Sequence, residues 1–208
     1  MYVPAAFAND RIEELHSFVE GHSFGILVSS VENEPIASHL PFLLERNVGD
    51  QGTLIGHFAR GNPQWSELVG QQVMAVFSGP HAYISPTWYA ADNTVPTWNY
   101  VAAHAYGIAE IIEDPAEVSS ILLQTVERYE RGRQPAWSID TDSDFFEKLS
   151  RMVVGFRIAI TKLDGKWKLN QNHPPERRQK VIDALNQSAD PQSKAIAQLM
   201  AESLEVAT

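Results

Sequence analysis

No cysteine occurs in the 208 residues, which excludes disulfides, thiolate metal sites and a cysteine nucleophile and fits a reducing compartment. Basic side chains are scarce as well. Sixteen Lys and Arg against 26 Asp and Glu leave a formal charge of −10, so a general attraction to nucleic acid or an anionic membrane is disfavoured. Contact with DNA would need a local patch. No apolar run reaches membrane-spanning length, and Met1-Tyr2-Val3-Pro4 lacks the basic start and apolar core of a signal peptide. A cytoplasmic protein is the resulting expectation. The GxGxxG fingerprint of a Rossmann site is absent. Gly56 and Gly61 keep the spacing of a P-loop, but Asn62-Pro63 replace its Lys-Ser/Thr, which argues against nucleoside triphosphate hydrolysis. The chain also shows no Ser-His-Asp order, HExxH helix or close carboxylate pair. Its histidines His39, His57, His81 and His104 fall at no recognised ligand spacing, so no metal is expected.

What is present reads as short strands interrupted by helices. Asn9-Asp10 with Glu13 predicts a capped helix over 10–21, stopped by Gly21. The runs 24–31 and 36–44 flank Asn33-Glu34-Pro35 and predict a β-hairpin. Further strands are expected at 53–58, 73–77 and 96–112, with a helix-sized stretch at 63–69. Asp114-Pro115-Ala116-Glu117 combines an N-cap, a first-turn proline and an N3 acid ahead of Val118, Ile121, Leu122, Val126 and Tyr129. A short helix at 143–152 precedes a strand at 153–162, a turn at Asp164-Gly165 and a last strand at 166–169. Helix follows Pro174-Pro175, with Asp190-Pro191 opening a final segment. The pattern predicts a mainly β protein, an antiparallel barrel with peripheral helices, rather than a doubly wound parallel sheet.

Three stretches stand out chemically. In GHFARGNPQW (56–65), Arg60 is the only Lys or Arg between Arg46 and Arg128. Asn62 can cap a helix started by Pro63, leaving the amides of Gln64 and Trp65 for an anion such as a phosphate monoester. An ordinary cap beside a surface arginine fits equally. GPHAYISPTWY (79–89) and VPTWNYVAAHAYG (95–107) concentrate aromatic rings with polar tips, suited to a flat heteroaromatic ligand and equally to a dimer interface or an aromatic core. GKWKLNQN (165–172) gathers Lys166, Lys168, Asn170, Gln171 and Asn172 and reads by itself as a solvated turn. One basic patch, Arg177, Arg178 and Lys180, could touch DNA but is more simply a solvated helix face.

Taken in order, MYVPAAFA, ASHLPFLL, GHFARGNPQW, GPHAYISPTWY, VPTWNY, HAYG, GFRIAI and GKWKLNQN resemble the PaiB family of negative transcriptional regulators, from Met1 to about Asn172. The resemblance implies the FMN-binding split barrel, a homodimer and FMN in a groove between subunits. It implies a split-barrel domain over 1–172 and a helical extension over 173–208, packed on the barrel or the dimer edge. By similarity, Ser38, His39 and Leu40 lie along the isoalloxazine, and His57, Arg60 and Asn62 hold the phosphate end. Family members often pair an arginine with a lysine there; this chain has Gly61 and Asn62, so Lys168, contributed by a partner subunit, is expected to supply the second cation. Ser85, Trp88, Trp98, Asn99, Tyr100 and Gln171 fall near the ring system. The alternatives to a regulator are an FMN-dependent oxidoreductase or flavin reductase and, third, a haem-degrading split barrel. Flavin chemistry resides in the cofactor, so neither enzyme need show a catalytic residue.

Overall fold

The computed structural model describes residues 1–135 and 137–205. In chain order the elements are β1 (Ala8–Asn9), α1 (Ile12–Gly21), β2 (Phe24–Val31), β3 (Glu34–Pro41), β4 (Leu43–Glu45), β5 (Thr53–Ala59), β6 (Gln72–Ile84), β7 (Thr97–Ile112), α2 (Pro115–Glu130), α3 (Asp144–Ser150), β8 (Val153–Lys168), α4 (Pro175–Asn186) and α5 (Pro191–Glu205). The sheet runs β3-β2-β6-β7-β8-β5-β4, with β1 added antiparallel to β8. The order does not return to its start, so the sheet is split rather than closed.

Local chemistry accounts for most boundaries. Asp114 Oδ1 accepts from the amides of Ala116 and Glu117, both at 3.0 Å, and Pro115 opens α2 as its sequence demands. Asp190 caps α5 in the same way through Gln192 and Ser193. The β2–β3 hairpin turns at Glu32-Asn33, one residue earlier than the sequence suggests. Both residues have positive φ, 50° and 68°, the requirement of a two-residue I′ turn, and Pro35 is thereby placed within β3. Two breakers do not break. Gly79-Pro80 lies inside β6, and Asp164-Gly165 lies inside β8. Gly165 pairs with Asn9 and Lys166 with Ala8, so β1 continues the ladder where a turn was expected.

The chain packs as two compact units. One comprises residues 12–77 and 104–163, the other 1–11, 78–103 and 164–208. In the first, Phe42, Phe58, Phe77 and Phe156 form the aromatic centre. Phe42 meets Phe77 and Phe156 edge-on at 5.3 and 5.7 Å, and Phe58 lies 5.1 Å from Phe156. A Cβ at Gly56 would stand 2.6 Å from the Phe156 ring, so this glycine makes room for the core. On the other side of β5, Ile55 joins Ile112, Val118 and Ile121 beneath α2. In the second unit, α4 and α5 pack together through Val181, Ile182, Leu185, Ile196 and Met200.

Candidate functional site

The expected site residues divide between the units. In the first, Ser38 and Asn62 meet: Asn62 Nδ2 donates to Ser38 Oγ at 2.8 Å, while its Oδ1 accepts the Gln64 amide at 3.0 Å. The cap is therefore present. It uses the Gln64 amide that was expected to face an anion, and the element it caps is a five-residue 3-10 turn, Pro63–Glu67. Gln64 itself is fully buried, donating toward Leu27 O, Ser29 Oγ and Ile36 O. Leu40 is buried, whereas His39 points from the opposite face of β3 and is exposed, 6.2 Å from the Phe24 ring. His57 pairs with Gly155, and its Nδ1 is buried without a partner. Burial lowers its pKa, which keeps the imidazole neutral at pH 7.

Arg60 does not hold an open guanidinium. Nε donates to Arg151 O at 2.9 Å, Nη2 to Val153 O at 3.1 Å, and Nη1 to the Glu113 carboxylate at 3.0 Å. Its carbonyl accepts from Trp65 Nε1. The charge is already balanced, so an anion here would have to displace Glu113. The physical reason lies at the passage from α3 into β8, where Arg151 and Val153 turn their carbonyls toward the end of β5 and one guanidinium satisfies both.

In the second unit, strand alternation separates residues the sequence grouped. Neighbours along a strand face opposite sides. Trp98 is 54% exposed and Tyr100 half-buried, but Asn99 is fully buried, its Nδ2 donating to Met200 Sδ at 3.3 Å and its Oδ1 left without a partner. Asn99 thus faces α5, a correction to its expected place beside the other two. Gln171 folds onto its own turn, accepting from Leu169 N at 2.8 Å and donating to Trp167 O. Ser85 caps the short turn Pro86–Tyr89 that carries half-buried Trp88.

Lys168 is half-buried. Its Nζ donates to Thr97 Oγ1 and, at 2.6 Å, to Trp98 O. Burial, and then the charge of Lys166, lower its pKa. Lys166, expected in a solvated turn, is only 7% exposed. Its Nζ donates to Tyr2 O at 3.1 Å and lies 5.5 Å from the Tyr2 ring and 5.2 Å from the Tyr100 ring. Tyr83 and His81 extend the aromatic surface, with ring centroids 5.9 and 6.1 Å from Trp98. Tyr83 and His81 belong to the 79–89 stretch read as a possible ligand wall, whereas Lys166 and Tyr2 were assigned no place at the site. The period-2 spacing of Lys166 and Lys168 was the available signal. On α4, Arg178 is 4% exposed and donates to Met200 O and Ser203 Oγ. The basic patch is thereby reduced to Arg177 and Lys180.

An open antiparallel sheet of this order with peripheral helices is the flavin-binding split-barrel architecture. It superposes on the FAD and haem binding protein from Mycobacterium smegmatis with a TM-score of 0.60 at 18% identity, covering 77% of this chain and 73% of that one. The flavocytochrome Anf3 from Azotobacter vinelandii gives 0.60 at 15% identity over 77% and 69%. At such identities the likeness is one of fold. A family model described as "Putative FMN-binding domain" matches residues 1–162. The "Protease synthase and sporulation protein PAI 2" of Bacillus subtilis (strain 168) is 37% identical over 207 residues, 99% of both chains. The chain belongs to the PaiB family, and the cofactor indicated is FMN.

The residues present fit such a ligand. In the second unit, exposed Trp98 and half-buried Tyr100 offer flat apolar surface, and Lys168 offers a desolvated ammonium beside it. Among the described residues no helix is long and apolar enough to cross a membrane.

Proposed function

We propose that the protein binds FMN as a homodimer and couples flavin binding to negative regulation of transcription. The observation that carries the reading lies in the second unit, where the Trp98 ring packs against Tyr83, the Trp98 carbonyl takes the Lys168 ammonium, and the Tyr100 ring lies over Lys166. Aromatic rings receive a flat heterocycle, and an ammonium with no carboxylate partner receives its anionic tail. Bound FMN would supply hydride or single-electron transfer. Within the second unit, Trp98 and Tyr100 would hold and shield its ring. A partner protein is the route to DNA favoured here, because burial of Arg178 leaves α4 too little exposed charge for a phosphate-binding face.

The dimer reading draws on one side of β2, β3 and β6. Register places Ile26 beside His39 and Val76, and Val28 beside Ala37 and Met74. With Phe24, 68% exposed, they make an apolar face of the kind that association covers. Purified protein mixed with FMN should develop a bound-flavin absorption spectrum and quench flavin fluorescence. A protein that leaves the FMN spectrum and emission unchanged would sink the proposal. Rapid anaerobic bleaching of bound flavin by NAD(P)H would instead favour the FMN-dependent oxidoreductase.

A further inference from the structure

In the first unit, half-buried Arg46 and Arg157 and exposed Arg60 are all neutralised within the chain. Arg46 meets Glu13 at 3.0 Å and Glu20 at 2.6 Å, Arg60 meets Glu113 at 3.0 Å, and Arg157 reaches Glu110 and Glu117 at 3.8 and 3.5 Å. Lys166 and Lys168 differ. Their partners are Tyr2 O, Thr97 Oγ1, Trp98 O and the rings of Tyr2 and Tyr100, with no carboxylate within ion-pair distance among the described residues. The carboxylate on the same strand face, Asp164, is 2.8 Å from the Met1 ammonium. Arg178 also lacks a carboxylate, but its Nη2 faces the last turns of α5 at Met200 O and Ser203 Oγ, where helix carbonyls carry partial negative charge.

Two ammonium groups on one strand face repel each other, and burying either removes the water that would screen the repulsion. Cation–π contacts offset part of the desolvation of Lys166, yet they leave its charge in place. Carbonyl and hydroxyl acceptors at Lys168 do the same. A stable arrangement of this kind is completed by an oxyanion that takes hydrogen bonds from the remaining ammonium protons.

We infer that Lys166 and Lys168 form the seat of a phosphate monoester, with Lys168 donating to the phosphate oxygens and Lys166 supplying charge from beneath. The inference rests on the FMN reading for the identity of the ester, and it moves the phosphate away from Arg60. The seat itself can be tested without flavin. Melting of the full-length chain is followed in a non-phosphate buffer with added inorganic phosphate, for wild type, Lys168→Gln and Lys168→Arg. FMN and riboflavin are titrated in parallel. Phosphate should raise the melting temperature of wild type and Lys168→Arg and leave Lys168→Gln unmoved. FMN should bind about tenfold or more tightly than riboflavin, a gap that Lys168→Gln closes. Equal phosphate stabilisation of wild type and Lys168→Gln, or an unchanged FMN-to-riboflavin ratio, overturns the seat. If neither flavin binds while phosphate still stabilises through Lys168, the seat stands and the flavin reading falls. If both flavins bind equally and phosphate has no effect, the reverse holds.

Discussion

Arg60 ties the end of β5 to the start of β8 through two carbonyls and a carboxylate, so its removal should be felt first as lost stability. Two charge-assisted bonds to backbone and a solvent-exposed ion pair suggest a cost of about 1–2 kcal/mol for Arg60→Met. Glu113→Gln should cost less than 1 kcal/mol by the same reasoning. Urea denaturation of both variants checks this, and an unchanged midpoint for Arg60→Met would count against the clamp. His57 supplies a pH-dependent term. Its pKa is lowered by burial, so the folded state holds the neutral ring, and the unfolded chain binds a proton first as pH falls. The associated stability is present above the ordinary imidazole pKa and is lost progressively as pH falls from there toward the lower value of the folded state. His57→Gln should therefore show a smaller stability difference between about pH 8 and about pH 5.5 than wild type. Sequence alone marks Arg60 as isolated among cations. It does not reveal that Glu113, 53 residues away, folds back to meet it. Lys166 is hidden for the same reason: the carbonyl of Tyr2 that accepts from it lies 164 positions upstream.

The elements were more legible than their contacts. The cap at Asp114, the β2–β3 hairpin and the helix after Pro174 follow from local preferences that act over a few residues. The continuity of β8 does not, because Asp164-Gly165 is a strong local turn signal overridden by pairing with β1. Gly79-Pro80 in β6 is the same conflict between local preference and sheet formation. Close approach between strands gives a sharp test at Gly107. A Cβ there would lie 2.2 Å from Ala159 O and 2.7 Å from an Ile158 methyl carbon, and the first of these is backbone that cannot rotate away. Gly107→Ala should destabilise by about 1–3 kcal/mol or prevent folding. Gly61→Ala, where a Cβ would meet nothing within 4 Å, provides the control and should leave the thermal melt close to wild type.

At the scale of the molecule, charge and surface argue for association with protein rather than nucleic acid. The net charge of −10 opposes a polyanion, and the apolar face around Ile26 and Val28 suits a second copy. Introducing a charge there, as in Val28→Glu, should shift a dimer to monomer by sedimentation velocity while the far-UV circular dichroism stays native. A wild-type chain that sediments as a monomer at micromolar concentration would contradict the homodimer. Trp98 has a further, optical consequence. An indole more than half exposed emits at long wavelength, and a ring system stacked on it would quench that emission by energy transfer. The protein therefore carries a built-in fluorescent indicator of occupancy, readable without label, and Trp98→Phe would remove its component from the emission of the five tryptophans while keeping a flat ring in place.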